Sequence, residues 1–233
     1  MKKQKLFIEN IPAILWGEKS PKLFLMVHGN MSHKEDRALS IFAEEAISKG
    51  YQVLSFDLPE HGDRKNENYP CMVQNCVKDL NTIMNYVKLF YSNVSLFACS
   101  MGAYFSFLSY KNESLEKSLF LSPVLNMERI ILNMMTWFEI SEEKLREKKE
   151  INTPIGQTLY WDYYCYVKEN PIEIWDSSTF ILYGTKDDLC EFEVISSFTE
   201  SFNCDLTIME DGEHYFHTHD QLEFFRRWAQ NIL

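Results

Sequence analysis

The chain has 233 residues, 45% of them hydrophobic and 15% aromatic, with a formal net charge of -11. That length and apolar content suit one domain with a substantial core and exclude a disordered chain. The acidic balance argues against nucleic acid and anionic membrane as partners, because both call for clustered Lys and Arg.

Met1–Glu9 carries positive charge but no apolar run, so neither a signal peptide nor a membrane span is expected. Six cysteines (Cys71, Cys76, Cys99, Cys165, Cys190 and Cys204) contain no C-x-x-C pair. Without an export signal they read as free thiols, and the expected location is cytoplasmic.

Leu6–Glu9 and Ala13–Trp16 read as a hairpin of two short strands. Leu23–Val27 is a continuous apolar run, as expected of a central strand buried on both faces. Ser32-His33-Lys34-Glu35 has the form of a capping box opening a helix to about Lys49, stopped by Gly50. Gln52–Phe56 is the next strand, and Met72 to about Tyr91 carries helical apolar spacing. Val94–Ala98 predicts a strand, Met101–Lys111 a helix, and Ser118–Leu121 a further strand.

Val124–Pro171 breaks the alternation. It shows no clear strand, an apolar helix around Met127–Phe138, a mixed-charge run over Glu142–Glu150, and an aromatic cluster from Tyr160 to Tyr166. Alternation resumes with strands at Thr179–Tyr183 and Leu206–Met209 and helices at Glu191–Phe202 and Gln221–Leu233. The expected fold class is α/β: a mostly parallel sheet with helices on both faces, residues 1–233 forming one domain with a cap insertion at about 124–171.

Ala98-Cys99-Ser100-Met101-Gly102 puts a serine at a strand-to-helix joint with small residues two positions either side. A sharp, strained turn that exposes a nucleophile needs that pattern. A serine hydroxyl also needs an imidazole to take its proton and a carboxylate to orient the ring. Gly184-Thr185-Lys186-Asp187 leaves one predicted strand, and Asp187 and its neighbour Asp188 are the candidate acids. Gly212-Glu213-His214 leaves another and supplies His214. His217 and His219 lie nearby, but their spacing is not that of a metal site, and none is expected. Negative charge on a tetrahedral intermediate needs preorganised N–H donors. The backbone N–H groups of Met101, at a helix N-terminus, and Asn30, in the loop after Leu23–Val27, are the candidates. His28 and His61 read as structural residues of their turns.

These segments, with Val27-His28-Gly29 and Asp57-Leu58-Pro59-Glu60-His61-Gly62, resemble the α/β-hydrolase superfamily, specifically its small bacterial esterase and serine-aminopeptidase-like members. The likeness spans nearly all of the chain except Val124–Pro171. Two departures stand out: Ala98 where the elbow usually begins with Gly, and Glu60 where the second loop usually has Gly. The resemblance implies a serine esterase with Ser100, His214 and Asp187 as triad and no cofactor, acting on a small-molecule ester or other acyl substrate. A thioesterase, amidase or aminopeptidase would use the same triad, and a silent binding protein of the same fold is the alternative of another class. Trp137, Tyr160, Trp161 and Tyr164 in the insertion are candidate substrate-pocket residues, with gluing the cap to the core as their plainer role.

Overall fold

The computed structural model describes residues 1–233. Ten strands and eight α-helices follow one another as β1 (Lys3–Ile8), β2 (Ile11–Trp16), β3 (Lys22–Val27), α1 (Arg37–Ser48), β4 (Gln52–Phe56), α2 (Val73–Lys88), β5 (Asn93–Cys99), α3 (Met101–Tyr110) and β6 (Ser118–Leu121). The insertion then holds α4 (Met127–Trp137), α5 (Glu142–Lys148), β7 (Glu150–Asn152), β8 (Thr158–Tyr160) and α6 (Trp161–Glu169). The chain closes with β9 (Thr179–Lys186), α7 (Phe192–Phe202), β10 (Asp205–Glu213) and α8 (His219–Ile232). No helix is long and apolar enough to cross a membrane.

Eight strands form one sheet in the order β1-β2-β4-β3-β5-β6-β9-β10. The hairpin β1–β2 is antiparallel and β2 runs antiparallel to β4; every other pairing is parallel. Alternation along the buried strands splits the core in two. Leu23, Leu25 and Val27 face a layer shared with α2, α3 and α7, whereas Phe24 and Met26 face α1 and α8. Phe42, Phe97 and Phe225 stack through the second layer, with ring centroids 4.1 and 5.7 Å apart. The crossovers from β3 and β5 thus leave these adjacent strands on opposite faces of the sheet. In open α/β sheets, the crevice beyond such a switch point is where ligands bind.

Two local expectations are corrected. The Ser32–Glu35 box does not open a helix. Lys34 turns inward onto the buried Asp57, its N–H donating to Asp57 Oδ1 (2.9 Å) and its ammonium pairing with Oδ2. α1 therefore starts at Arg37, capped by Asp36, whose carboxylate accepts from the Ala38 N–H (3.1 Å). The insertion also contains a strand pair, β7 against β8, in which Ile151 faces Leu159. Its three-residue strands are too short to leave an alternation in the sequence.

Gly102 sits where α3 leaves the sheet. A Cβ there would stand 2.2 Å from the His28 carbonyl oxygen and 2.9 Å from that of Val27. Both atoms are backbone and cannot swing away. Gly102→Ala is accordingly expected to lower stability by about 3 kcal/mol, measured as a fall in the urea midpoint at unchanged slope.

Candidate active site

The joint between β5 and α3 is a single residue, Ser100, with φ 48° and ψ -122°. A non-glycine residue in this region holds a strain on the order of 1–3 kcal/mol, so its surroundings must impose it. The Ser100 N–H donates to the Leu121 carbonyl (3.1 Å), and the Ser100 carbonyl accepts from Ala103 and Val124 (3.0 and 3.1 Å). The turn is thus held from both sides, with the hydroxyl projecting from it.

Ser100 Oγ lies 2.8 Å from His214 Nε2, and His214 Nδ1 lies 2.7 Å from Asp187 Oδ2. A carboxylate only accepts, so Nδ1 carries the proton and Nε2 is left to accept from the serine hydroxyl. The Asp187 side chain is fully buried and its Oδ1 accepts from the N–H groups of Leu189 and Cys190 (2.9 and 2.8 Å). Asp188 is exposed and takes no part. His217 is also exposed; its Nδ1–H donates to the Tyr215 carbonyl (2.8 Å). His219 is an exposed first residue of α8.

The loops carrying acid and histidine are set by a second close approach. Gly184 in β9 and Gly212 in β10 face each other so tightly that a Cβ on Gly184 would lie 2.3 Å from the Gly212 oxygen. The β9–β10 register also shifts between Met209 and Glu213. Asp187 and His214 follow these glycines by three and two residues.

After β3 the chain passes against the elbow, where a Cβ on Gly29 would be 3.1 Å from Ser100 Cβ. This brings Asn30 beside the serine. The Asn30 N–H has no acceptor within the protein, and the Met101 N–H belongs to the first turn of α3, where such groups lack intrahelical partners and the helix dipole favours an anion.

Asn30, Ser100 and Met101 open into a cavity of about 650 Å³ whose far wall is the insertion. Met127, Ile131, Met134 and Trp137 contribute from α4, and Leu159, Tyr160 and Tyr163 from β8 and α6. Trp137 and Tyr160 therefore reach the cavity, whereas Trp161 and Tyr164 are not among its lining residues. Tyr164 is buried and its hydroxyl donates to Glu142 Oε2 (3.1 Å), tying α6 to α5, and Trp161 packs beside it.

No protein-family model and no curated protein matches the sequence. Solved structures do match. Est1E from Butyrivibrio proteoclasticus, in a structure with ferulic acid bound, superposes with a TM-score of 0.80 at 17% identity, covering 98% of this chain and 97% of that chain. Alpha/beta hydrolase domain-containing protein 10 from mouse gives 0.77 at 13% identity, over 100% and 98%. An esterase from Pyrococcus furiosus gives 0.69 at 18% identity, over 99% and 87%. The chain has the α/β-hydrolase fold.

Several residues that shape this site carry no sequence signal. Lys34 pins the loop after β3 to Asp57, and Asp63 closes the cluster from outside, its Oδ2 2.7 Å from the Lys34 ammonium. Glu191, at the start of α7, holds the insertion through Arg129 and Asn133 of α4 (3.1 Å each). Asp187, Cys190 and His214 bring possible metal-donor atoms within 4.8 Å of one another. That cluster fits a metal poorly. The carboxylate is already committed to three N–H donors, and burial pushes the Cys190 thiol up, keeping it protonated.

His28 and His61 are turn residues. His28 is fully buried, Nε2 accepting from the Leu58 N–H (3.0 Å) and Nδ1–H donating to the Gly29 carbonyl (2.7 Å). His61 accepts from the Met31 N–H through Nε2 (3.1 Å) and donates through Nδ1 to the Pro59 carbonyl (2.7 Å). Together they join the two loops beyond β3 and β4. Burial lowers the His28 pKa to about 4. The unfolded chain then binds a proton near pH 6.5 that the folded chain refuses. Neutral His28 costs nothing above pH 6.5, and stability falls as the pH drops from there towards 4, by up to about 3 kcal/mol. Urea midpoints at pH 7, 6 and 5 should show this decline. A His28→Gln variant, less stable at pH 7, should show a shallower one.

Proposed function

We propose that the protein is a serine hydrolase that cleaves a small carboxylic ester through an acyl-enzyme. The observation that carries this reading is the unbroken chain Ser100 Oγ–His214–Asp187, with contacts of 2.8 and 2.7 Å, at the switch point of the sheet. Ser100 Oγ attacks the carbonyl carbon while His214 Nε2 takes its proton. Asp187 keeps the imidazole in the tautomer that can do so and stabilises the imidazolium. The Met101 and Asn30 N–H groups receive the oxyanion. His214 then returns its proton to the departing alkoxide, and a water, deprotonated by the same nitrogen, releases the acid and restores Ser100.

The substrate side of the reading rests on the cavity. Its wall of Met, Ile, Trp and Tyr side chains suits an apolar or aryl acyl group, and the ferulic acid bound by Est1E is a group of that kind. Lys65 and His61 are the basic residues among the lining side chains, beside one acid, Glu60. An aminopeptidase would need a carboxylate facing the scissile bond to hold the substrate ammonium. Glu60, the one carboxylate in the lining, already accepts from the Cys71 N–H (2.7 Å), and Glu142 of α5 lies outside the lining, engaged by Tyr164 and Lys168.

Three outcomes test the proposal. A fluorophosphonate should label Ser100 stoichiometrically; a folded sample that stays unlabelled sinks the enzymatic reading. Ser100→Ala and His214→Ala should each lower kcat by at least ~10³-fold, the double variant little more, because the residues act as a unit, while Asp188→Asn stays close to wild type. In a panel of p-nitrophenyl esters and aminoacyl p-nitroanilides, turnover should be confined to the esters and highest for apolar or aryl acyl groups. Faster anilide cleavage would favour the peptidase alternative.

A further inference from the structure

Cys71 lines the same cavity as Ser100, yet the proposed chemistry gives it no task. It lies on irregular backbone two residues before α2, half-buried, with its N–H donating to Glu60 Oε2 (2.7 Å). Its sulfur is 3.6 Å from that of Cys76, which is buried in the second turn of α2. Both cysteines are free.

We infer that Cys71 and Cys76 form a peroxide-reactive dithiol site in the cavity wall, with Cys71 as the attacking thiol and Cys76 as the resolving one. Three observations support these roles. Cys71 faces the cavity, so a molecule as small as hydrogen peroxide reaches it, whereas Cys76 is shielded. Cys71 immediately precedes Met72, the N-cap of α2, a helix of 16 residues whose positive end favours a thiolate near it. The two thiols are also pushed apart in acidity. The Cys76 thiol donating to the Cys71 sulfur works against burial and brings Cys71 down to about 6; burial pushes Cys76 well up. At neutral pH the pair holds one thiolate and one protonated thiol.

The chemistry closes without further reagents. The Cys71 thiolate attacks one peroxide oxygen, the O–O bond breaks, and the departing hydroxide takes a proton to leave as water, giving Cys71–SOH. Cys76 sulfur then attacks the sulfenic sulfur, its proton leaves with the hydroxyl as a second water, and the S–S bond forms. Two thiols are oxidised by two electrons, and one peroxide is reduced to two waters. The sulfurs must close by roughly 1.5 Å, which the irregular segment carrying Cys71 can supply without unwinding α2.

The test uses the intact protein and reads thiols rather than ester turnover, so it stands or falls independently of the hydrolase proposal. Iodoacetamide at pH 7 should alkylate Cys71 at least ~10-fold faster than Cys165, which is also partly exposed but whose thiol is pushed up. After one equivalent of hydrogen peroxide, peptide mapping should show a Cys71–Cys76 disulfide and four remaining free thiols of the six. Cys76→Ser should stop at the sulfenic acid, trapped by dimedone on Cys71. Equal alkylation rates at Cys71 and Cys165, six thiols surviving peroxide in the wild type, or a disulfide between another pair would each overturn the inference.

Discussion

The whole site depends on backbone meeting backbone at the carboxyl edge of the sheet. α3 can follow β5 through one residue only because Gly102 lets the helix rest against the Val27 and His28 carbonyls. That contact leaves Ser100 no relaxed conformation, and the strained one lifts its hydroxyl out of the sheet. The same device recurs at the other end of the site, where Gly184 and Gly212 bring β9 and β10 together. Asp187 and His214 project from the loops just beyond. Any side chain at these contacts would separate elements whose spacing sets hydrogen bonds of 2.7 and 2.8 Å.

This explains why the site was more legible than its surroundings. A parallel strand buried on both faces must be apolar throughout, so Leu23–Val27 and Val94–Ala98 announce themselves. Glycines and small residues at their ends mark the contacts, and Ser100, Asp187 and His214 lie at short distances from them in the chain. Where long-range partners decide, the sequence misleads. Ser32–Glu35 has every local feature of a helix start, yet burial of Lys34 against Asp57, 23 residues away, displaces that start to Asp36. β9 and β10 run on to Lys186 and Glu213 through polar, largely exposed residues that read as loop.

The insertion was the least readable part, for a related reason. Beyond α4, its short hairpin, α5 and α6 bury few residues each, so local periodicity is faint. Aromatic content alone could not separate lining from support. Tyr160 and Tyr163, three apart, face the cavity; Trp161 and Tyr164, also three apart, lie one step round the same helical turn and face the α5 side. The start of α6 at Trp161 decides which pair faces which side. The link from this layer to the core through Arg129 and Glu191 is largely exposed, so it orients the cap more than it stabilises it.

The Lys34–Asp57 pair has the opposite character. Both side chains are almost wholly removed from solvent, at 5% and 0% exposure, and the pair holds the loop that carries Gly29 and Asn30. Counterions screen exposed charges over a Debye length of roughly 8–10 Å at ordinary ionic strength but reach buried pairs far less. The loop beside Ser100 is therefore anchored by an electrostatic contact that ionic strength scarcely touches. Salt can loosen the outer edge of the insertion while the floor of the cavity keeps its shape.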